Sequence, residues 1–225
     1  MVGLRLFLEG KKCNRLAIHL QHLSSLPSML ATSSSSLSQW YGSEDSGSEF
    51  LEPIQWKRYA RVSTYSVKYD PEWFQKVSSN GVFVVTGAQL VTKGNWAKKA
   101  LHLRLLFTHI PNCTILRTEW AGAPATTSHR GSFLTNLSTT FTQRDNPHQK
   151  HEPSVILNSG VYPDGPPVPV QSRRLLKFVD MVEVVKGPQD VPGHWLVIGA
   201  RLVKENRKIG LHVKFALLHY SNTQG

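Results

Sequence analysis

Cysteine is nearly absent: Cys13 and Cys113 are the two in 225 residues. Such a pair supplies neither a disulfide framework nor a paired zinc motif, so the cysteine content demands no oxidising compartment. Long apolar runs are missing too. The longest charge-free, strongly apolar stretch, residues 81–91, is about half of the roughly 20 residues that a spanning helix needs. A secretory leader is not indicated either, because Arg5 interrupts the apolar residues 2–8, and Glu9, Lys11 and Lys12 follow where a cleavage site would have to stand. The sequons Asn112-Cys113-Thr114 and Asn136-Leu137-Ser138 then count as chance matches. Acidic side chains are few, 15 against 26 basic ones, which leaves a formal net charge of +11. With 40% hydrophobic and 18% charged residues the chain has a globular composition, and its length suffices for one large domain or two small ones.

The charge is unevenly spread. Residues 1–56 carry 4 basic and 5 acidic side chains, leaving 22 basic against 10 acidic beyond Trp56. Residues 31–49 are Ser-rich, with Ser33 to Ser36 in a row and the acidic run Ser43-Glu44-Asp45-Ser46-Gly47-Ser48-Glu49. They lack the apolar periodicity that offsets ordering entropy, so a flexible surface loop is expected there. Two further breaks are expected at residues 142–152, polar around Asp145-Asn146-Pro147, and at residues 162–169, rich in Pro and Gly.

Between the breaks, apolar and polar residues alternate at period two, the pattern of half-buried strands. Leu101, Leu103, Leu105 and Phe107 share one face, with His102, Arg104 and Thr108 opposite. Near the C-terminus Leu211, Val213, Phe215 and Leu217 face one way, with His212 and Lys214 the other. A repeat accounts for the similarity. Three segments each combine a glycine, a strand, a basic loop and a second strand with an apolar-His-apolar triplet. They are Gly3 with Ile18-His19-Leu20, Gly87 with Leu101-His102-Leu103, and Gly199 with Leu211-His212-Val213, at spacings of 15, 14 and 12 residues. A lone hairpin is unstable in water, so three should hide their apolar faces against one another with pseudo-threefold packing. The expected fold class is therefore all-β, a β-prism-like domain of three pseudo-repeated hairpin units over residues 1–225. The repeated glycine implies a bulge or a close backbone approach, and the repeat places His19, His102 and His212 equivalently. The first unit begins inside its own repeat, since Met1 and Val2 are too few for the strand that residues 82–86 and 195–198 supply to the others.

The same residues carry a family resemblance. Gly3-Leu-Arg-Leu-Phe-Leu-Glu-Gly-Lys-Lys-Cys-Asn-Arg-Leu-Ala-Ile-His-Leu-Gln-His-Leu23, Val85-Thr-Gly-Ala-Gln-Leu90, Asn158-Ser-Gly-Val-Tyr-Pro163, Gly165-Pro-Pro-Val-Pro-Val170, Leu175-Leu-Lys-Phe-Val-Asp180 and Val185-Lys-Gly-Pro188 resemble the C-terminal region of plant MACPF (membrane attack complex/perforin) domain proteins. The resemblance implies action at membranes and restraint of programmed cell death and of salicylic-acid-dependent defence. It also implies a cytoplasmic protein, peripheral at the plasma membrane. The pore-type domain of that family lies N-terminal to the region matched, and its aromatic-Gly-Ser/Thr-His-aromatic motif is not found here. Tyr41-Gly42-Ser43 begins that motif but continues Glu44-Asp45. Pore formation is therefore not carried over.

Catalytic readings find little support. His19 and His22 fall on opposite faces of a strand, and His148 and His151 sit in a polar stretch without acidic or cysteine partners, so no metal is expected. A triplet repeated for packing accounts for His19, His102 and His212 without a ligand. No nucleophile elbow, phosphate-cradling loop or dinucleotide fingerprint occurs, so neither an enzyme nor a cofactor is expected. Basic residues gather instead in the three hairpin loops: Lys11, Lys12 and Arg15; Lys93, Lys98 and Lys99; Lys204, Arg207 and Lys208. Only Glu9 and Glu205 offset them, and in a prism the tips should share one end. Such a cluster suits anionic lipid headgroups, each Lys or Arg near the surface contributing on the order of 1 kcal/mol, so a module that docks on an anionic membrane surface or on a protein partner is expected. The same lysines also serve, more plainly, as solvated tips that discourage edge association. A lectin-like module is the alternative, on the weak spacing of Gly160-Val161-Tyr162-Pro163-Asp164. Nucleic acid ranks last, because aromatics do not interleave with the basic loops.

Overall fold

The structure, a computed structural model, describes residues 1–10, 15–24, 37–54, 61–77, 80–95, 99–122, 178–186 and 194–220. In chain order the strands are β1 (Gly3–Glu9), β2 (Arg15–Gln21), β3 (Ser38–Gly42), β4 (Leu51–Pro53), β5 (Arg61–Ser63) and β6 (Val67–Lys68). They continue with β7 (Gly81–Lys93), β8 (Ala100–Pro111), β9 (Cys113–Gly122), β10 (Val184–Val185), β11 (His194–Glu205) and β12 (Lys208–Tyr220). Only short 3-10 turns accompany them among the described residues, so the all-β class holds. The strands form three sheets, ordered β10-β1-β2, β6-β11-β12-β9 and β3-β8-β5-β4, with β7 paired to β8.

The three expected hairpins are present as β1–β2, β7–β8 and β11–β12, all antiparallel. Their period-two faces are buried as the alternation requires: Leu103, Leu105 and Phe107 of β8, and Val213 and Phe215 of β12, are wholly buried in one apolar core. The first halves of β7 and β11 bury both faces. Phe83 and Val85 join that core, while Val82 and Val84 join a second cluster with Leu196, Ile198, Ala216 and Leu218. Burial on two sides explains why these stretches read as continuous apolar runs rather than alternating ones.

The register corrects one expectation. Gly87 and Gly199 each follow a bulge, at Thr86 and Ile198. Two residues beyond the glycine of each hairpin, Arg5 faces His19, Gln89 faces Arg104 and Arg201 faces His212. His19 and His212 therefore hold the same place, whereas His102 lies two residues away, opposite Val91. The β7–β8 loop is longer than the triplet spacing implies, so Arg104 takes the equivalent position.

A second correction concerns residues 31–49. Residues 38–42 are β3, paired along β8 from Ser38 opposite Thr108 to Gly42 opposite Arg104. Ser43 is fully buried. Its hydroxyl accepts from the Leu103 amide at 3.1 Å and its carbonyl accepts from His102 Nδ1 at 3.0 Å. The stretch lacks local periodicity, but Trp40 and Tyr41 supply apolar area and the outer edge of β8 supplies the backbone partner, so tertiary pairing overrides the local signal. Residues 31–36 lie outside the described residues, as do the breaks expected at 142–152 and 162–169.

Segments between the hairpins do not stay with the hairpin they follow. β3 comes after the first hairpin and pairs with the second, through β8; β9 comes after the second and pairs with the third, through β12. β6 precedes the second hairpin and pairs with β11 of the third, while β10 precedes the third and pairs with β1 of the first. The expected close approach at the glycines is found at two of them. A Cβ on Gly199 would lie 2.8 Å from the Val67 carbonyl oxygen, and one on Gly3 would lie 3.0 Å from that of Val184.

Candidate functional site

Of the basic residues singled out from the sequence, Arg15, Lys93, Lys99, Lys204, Arg207 and Lys208 are described, at the ends of the three hairpins. The third end is the tightest. Glu205 and Lys208 close a two-residue turn in which Asn206 and Arg207 have φ of 49° and 64°, the double left-handed geometry that continues the twist of flanking strands. Asn tolerates that region and Arg does not favour it, so the turn holds a long cation at its apex against conformational preference. Arg207 and Lys208 are exposed, Lys204 is half-buried, and none of the three makes an ion pair among the described residues.

At the first end, Arg15 opens β2 opposite Glu9 and pairs with it, Nε to Oε1 at 3.5 Å. Lys11 and Lys12 lie outside the described residues, as does Lys98 of the second end. There Lys93 closes β7 and turns onto the acidic residues after β3, with Nζ 3.1 Å from Asp45 Oδ1 and donating to the Glu44 carbonyl at 3.0 Å. Arg104 Nε stands 2.7 Å from Glu44 Oε1. The acidic run expected in a free loop thus neutralises part of the second end, and Lys99 remains without an ion pair among the described residues. No ion pair or hydrogen bond joins one hairpin end to another in the described part.

Beside the third end lies a mixed-charge cleft of about 470 Å³, lined among others by Tyr65, Lys68, Arg201, Lys204, Glu205 and His212. Arg201 Nη2 is 3.3 Å from His212 Nδ1, and His212 Nε2 is 3.1 Å from Glu205 Oε1. The guanidinium can only donate, so Nδ1 accepts and Nε2 carries the proton toward the carboxylate. This relay orients the imidazole. The cleft lining sets Lys68, Arg201 and Lys204 against Glu52 and Glu205, and no group of three or more His, Cys, Asp or Glu that could hold a metal gathers among the described residues. Cys113 is buried and its thiol is pushed up to about 11, which leaves it protonated and unreactive at neutral pH.

Two residues escaped the sequence reading. Trp40 and Trp120 are the exposed tryptophans among the described residues, 42% and 38% accessible, and each stands two residues before a glycine, Gly42 or Gly122. Those glycines face Arg104 and His212, the same place in the hairpin register. Arg201 lies over the Trp120 ring at 5.2 Å. The repeated Trp-x-Gly was the available signal, hidden because Trp40 fell in a stretch read as loop.

The chain is similar over nearly all its length to several Arabidopsis thaliana proteins. It is 41% identical over 228 residues to MACPF domain-containing protein CAD1, covering 98% of this chain and 36% of that one. It is 36% identical over 221 residues to MACPF domain-containing protein NSL1, covering 97% and 35%. The chain is related to the plant MACPF domain-containing proteins. A further member of that group is 42% identical over 229 residues, again with 97% of this chain and 36% of the relative covered. The chain thus spans about a third of the length of its MACPF relatives. No family model and no solved structure matches it. Among the described residues no helix is long and apolar enough to cross a membrane.

Proposed function

We propose that this region is a non-catalytic recognition domain of a MACPF-type protein, built as a β-prism-like arrangement of three hairpin units, that docks on an anionic membrane surface through its hairpin ends. The observation that carries the reading is the third turn, where Lys204, Arg207 and Lys208 stand without a carboxylate partner among the described residues and Arg207 occupies a backbone conformation that a smaller residue would favour. The matching register of the three hairpins supports the threefold arrangement. In this reading the protein acts peripherally at the cytoplasmic face of the plasma membrane, and the parent protein restrains programmed cell death and salicylic-acid-linked immune responses, as the family resemblance implies.

Vesicle cosedimentation tests the docking. Binding to vesicles containing phosphatidylserine should fall with added salt and fall again, by about a hundredfold, when Lys204, Arg207 and Lys208 are all replaced by Gln, since each contributes on the order of 1 kcal/mol near such a surface. Binding indifferent to both salt and this triple substitution removes the membrane reading. Plants lacking the parent gene should show spontaneous lesions and raised salicylic acid; symptom-free tissue with ordinary levels argues against the cellular role.

A further inference from the structure

The pairing pattern leaves one seam unlike the other two. Between the first and third hairpins, β10 lies on β1 and β9 on β12, and Lys186 just after β10 pairs with Glu119 of β9 while its ammonium sits 4.0 Å over the Trp195 ring. Between the third and second hairpins, β6 lies on β11 and β3 on β8. Between the second and first hairpins the facing strands are β7 and β2, and among the described residues neither carries a strand on its outer edge.

Burial records the difference. Gly3, Leu4 and Arg5 beneath β10 are buried, as are Gly199 and Ala200 beneath β6. The corresponding Gly87 and Ala88 are half-buried and Gln89 is exposed. On the other strand of the seam, Ile18 and Leu20 are half-buried, whereas their register equivalents, Leu103 and Leu105 of β8 and Leu211 and Val213 of β12, are buried. The glycines say the same. At Gly3 and Gly199 a Cβ would meet the carbonyl of the added strand, but at Gly87 the nearest atoms are side chains, Leu106 Cβ at 3.1 Å and the Trp40 ring at 3.5 Å. Among the described residues, no backbone uses the clearance at Gly87.

We propose that the outer edge of β7 at Gly87–Ala88 is an acceptor for a short antiparallel strand. The two filled sites specify its chemistry. Val67 faces Ala200 with Lys68 facing Gly199, and Val184 faces Leu4 with Val185 facing Gly3. Val67 and Val184 are buried. The occupant is therefore an extended segment with a buried valine opposite Ala88 and an exposed Lys or Val opposite Gly87, held by main-chain hydrogen bonds as in strand addition. Its source is the further polypeptide that the MACPF relatives carry, since this region makes up 34–36% of their length. The inference rests on the matching register of the three hairpins and is independent of lipid binding, so either can fail while the other stands.

Hydrogen exchange read by mass spectrometry tests it, with the eight-residue peptide of residues 64–71 as probe. Saturating peptide should slow the amides of residues 87–90 by about tenfold while leaving residues 199–202 unchanged. Gly87→Ala should melt within a few degrees of the parent chain yet show no slowing. In full-length CAD1 the corresponding segment should be protected without peptide. Three results overturn the proposal: no effect of peptide on the parent chain, residues 87–90 already as slow as 199–202 in the free chain, or protection that rises with chain concentration, which assigns the edge to a second copy. An unprotected segment in full-length CAD1 overturns the assigned source.

Discussion

Arg207 separates what the fold prefers from what the proposed surface needs. In a two-residue turn with both φ positive, Asn-Gly is the favoured pair, so Arg207→Gly should stabilise the fold by about 0.5–1 kcal/mol. The same change should weaken binding to anionic vesicles severalfold. Paired melting and cosedimentation measurements check both signs, and a variant that gains stability without losing binding detaches the tip from the membrane. The enclosed histidines carry a second prediction. His102 and His109, which are buried, and the half-buried His19 lie below the ordinary imidazole range, chiefly because burial disfavours the charged ring, and for His102 the bond to the Ser43 carbonyl only partly compensates. Below about pH 6.5 the unfolded chain binds protons that the folded chain refuses, so stability is full above that value and declines as pH falls through it. The melting temperature should drop between pH 7.5 and pH 5, and His102→Gln should flatten the slope. A slope unchanged by that substitution assigns the effect to the other two.

At the scale of the element, the 3-10 turn Pro71–Lys76 shows how a short piece of chain secures a sheet. Asp70 Oδ1 accepts from the Glu72 amide at 2.9 Å, and Pro71 fits the first position of the turn. The turn delivers Trp73 into a cluster where its ring meets Phe83 at 5.5 Å, Phe107 at 5.6 Å and Tyr41 at 5.8 Å, each edge-on. Trp73→Ala should cost about 3–5 kcal/mol by chemical denaturation, and Asp70→Ala about 1 kcal/mol. The acidic turn after β3 makes another element-scale prediction. Replacing Glu44 by Gln and Asp45 by Asn releases Lys93 and Arg104, and binding to anionic vesicles should rise severalfold; a fall would place that turn inside the contact rather than against it.

For the whole molecule, the hairpins were legible and their exchange of neighbours was not. β8 and β12 announce themselves because one face is wholly apolar and the partner strand is close in sequence, so period two and a glycine at constant spacing suffice. β3, β6 and β10 carry no such mark. Val67-Lys68 and Val184-Val185 are two-residue pieces whose partners lie in other hairpins, and pairing of that kind leaves no local pattern. The nine basic residues were legible as residues but not as a site. The sequence could not say that Lys93 faces Asp45, because the acidic stretch reaches it only by β3 binding a strand formed later in the chain.

That β1 takes β10 as its neighbour has a consequence for how the protein comes into being. Gly3 leaves the ribosome about 180 residues ahead of its partner Val185. At a synthesis rate of roughly 5–20 residues per second the first hairpin waits on the order of ten seconds or more with an open edge, a long exposure for an apolar strand. Refolding from denaturant should be correspondingly slow and concentration-sensitive, with the first hairpin the last to gain protection.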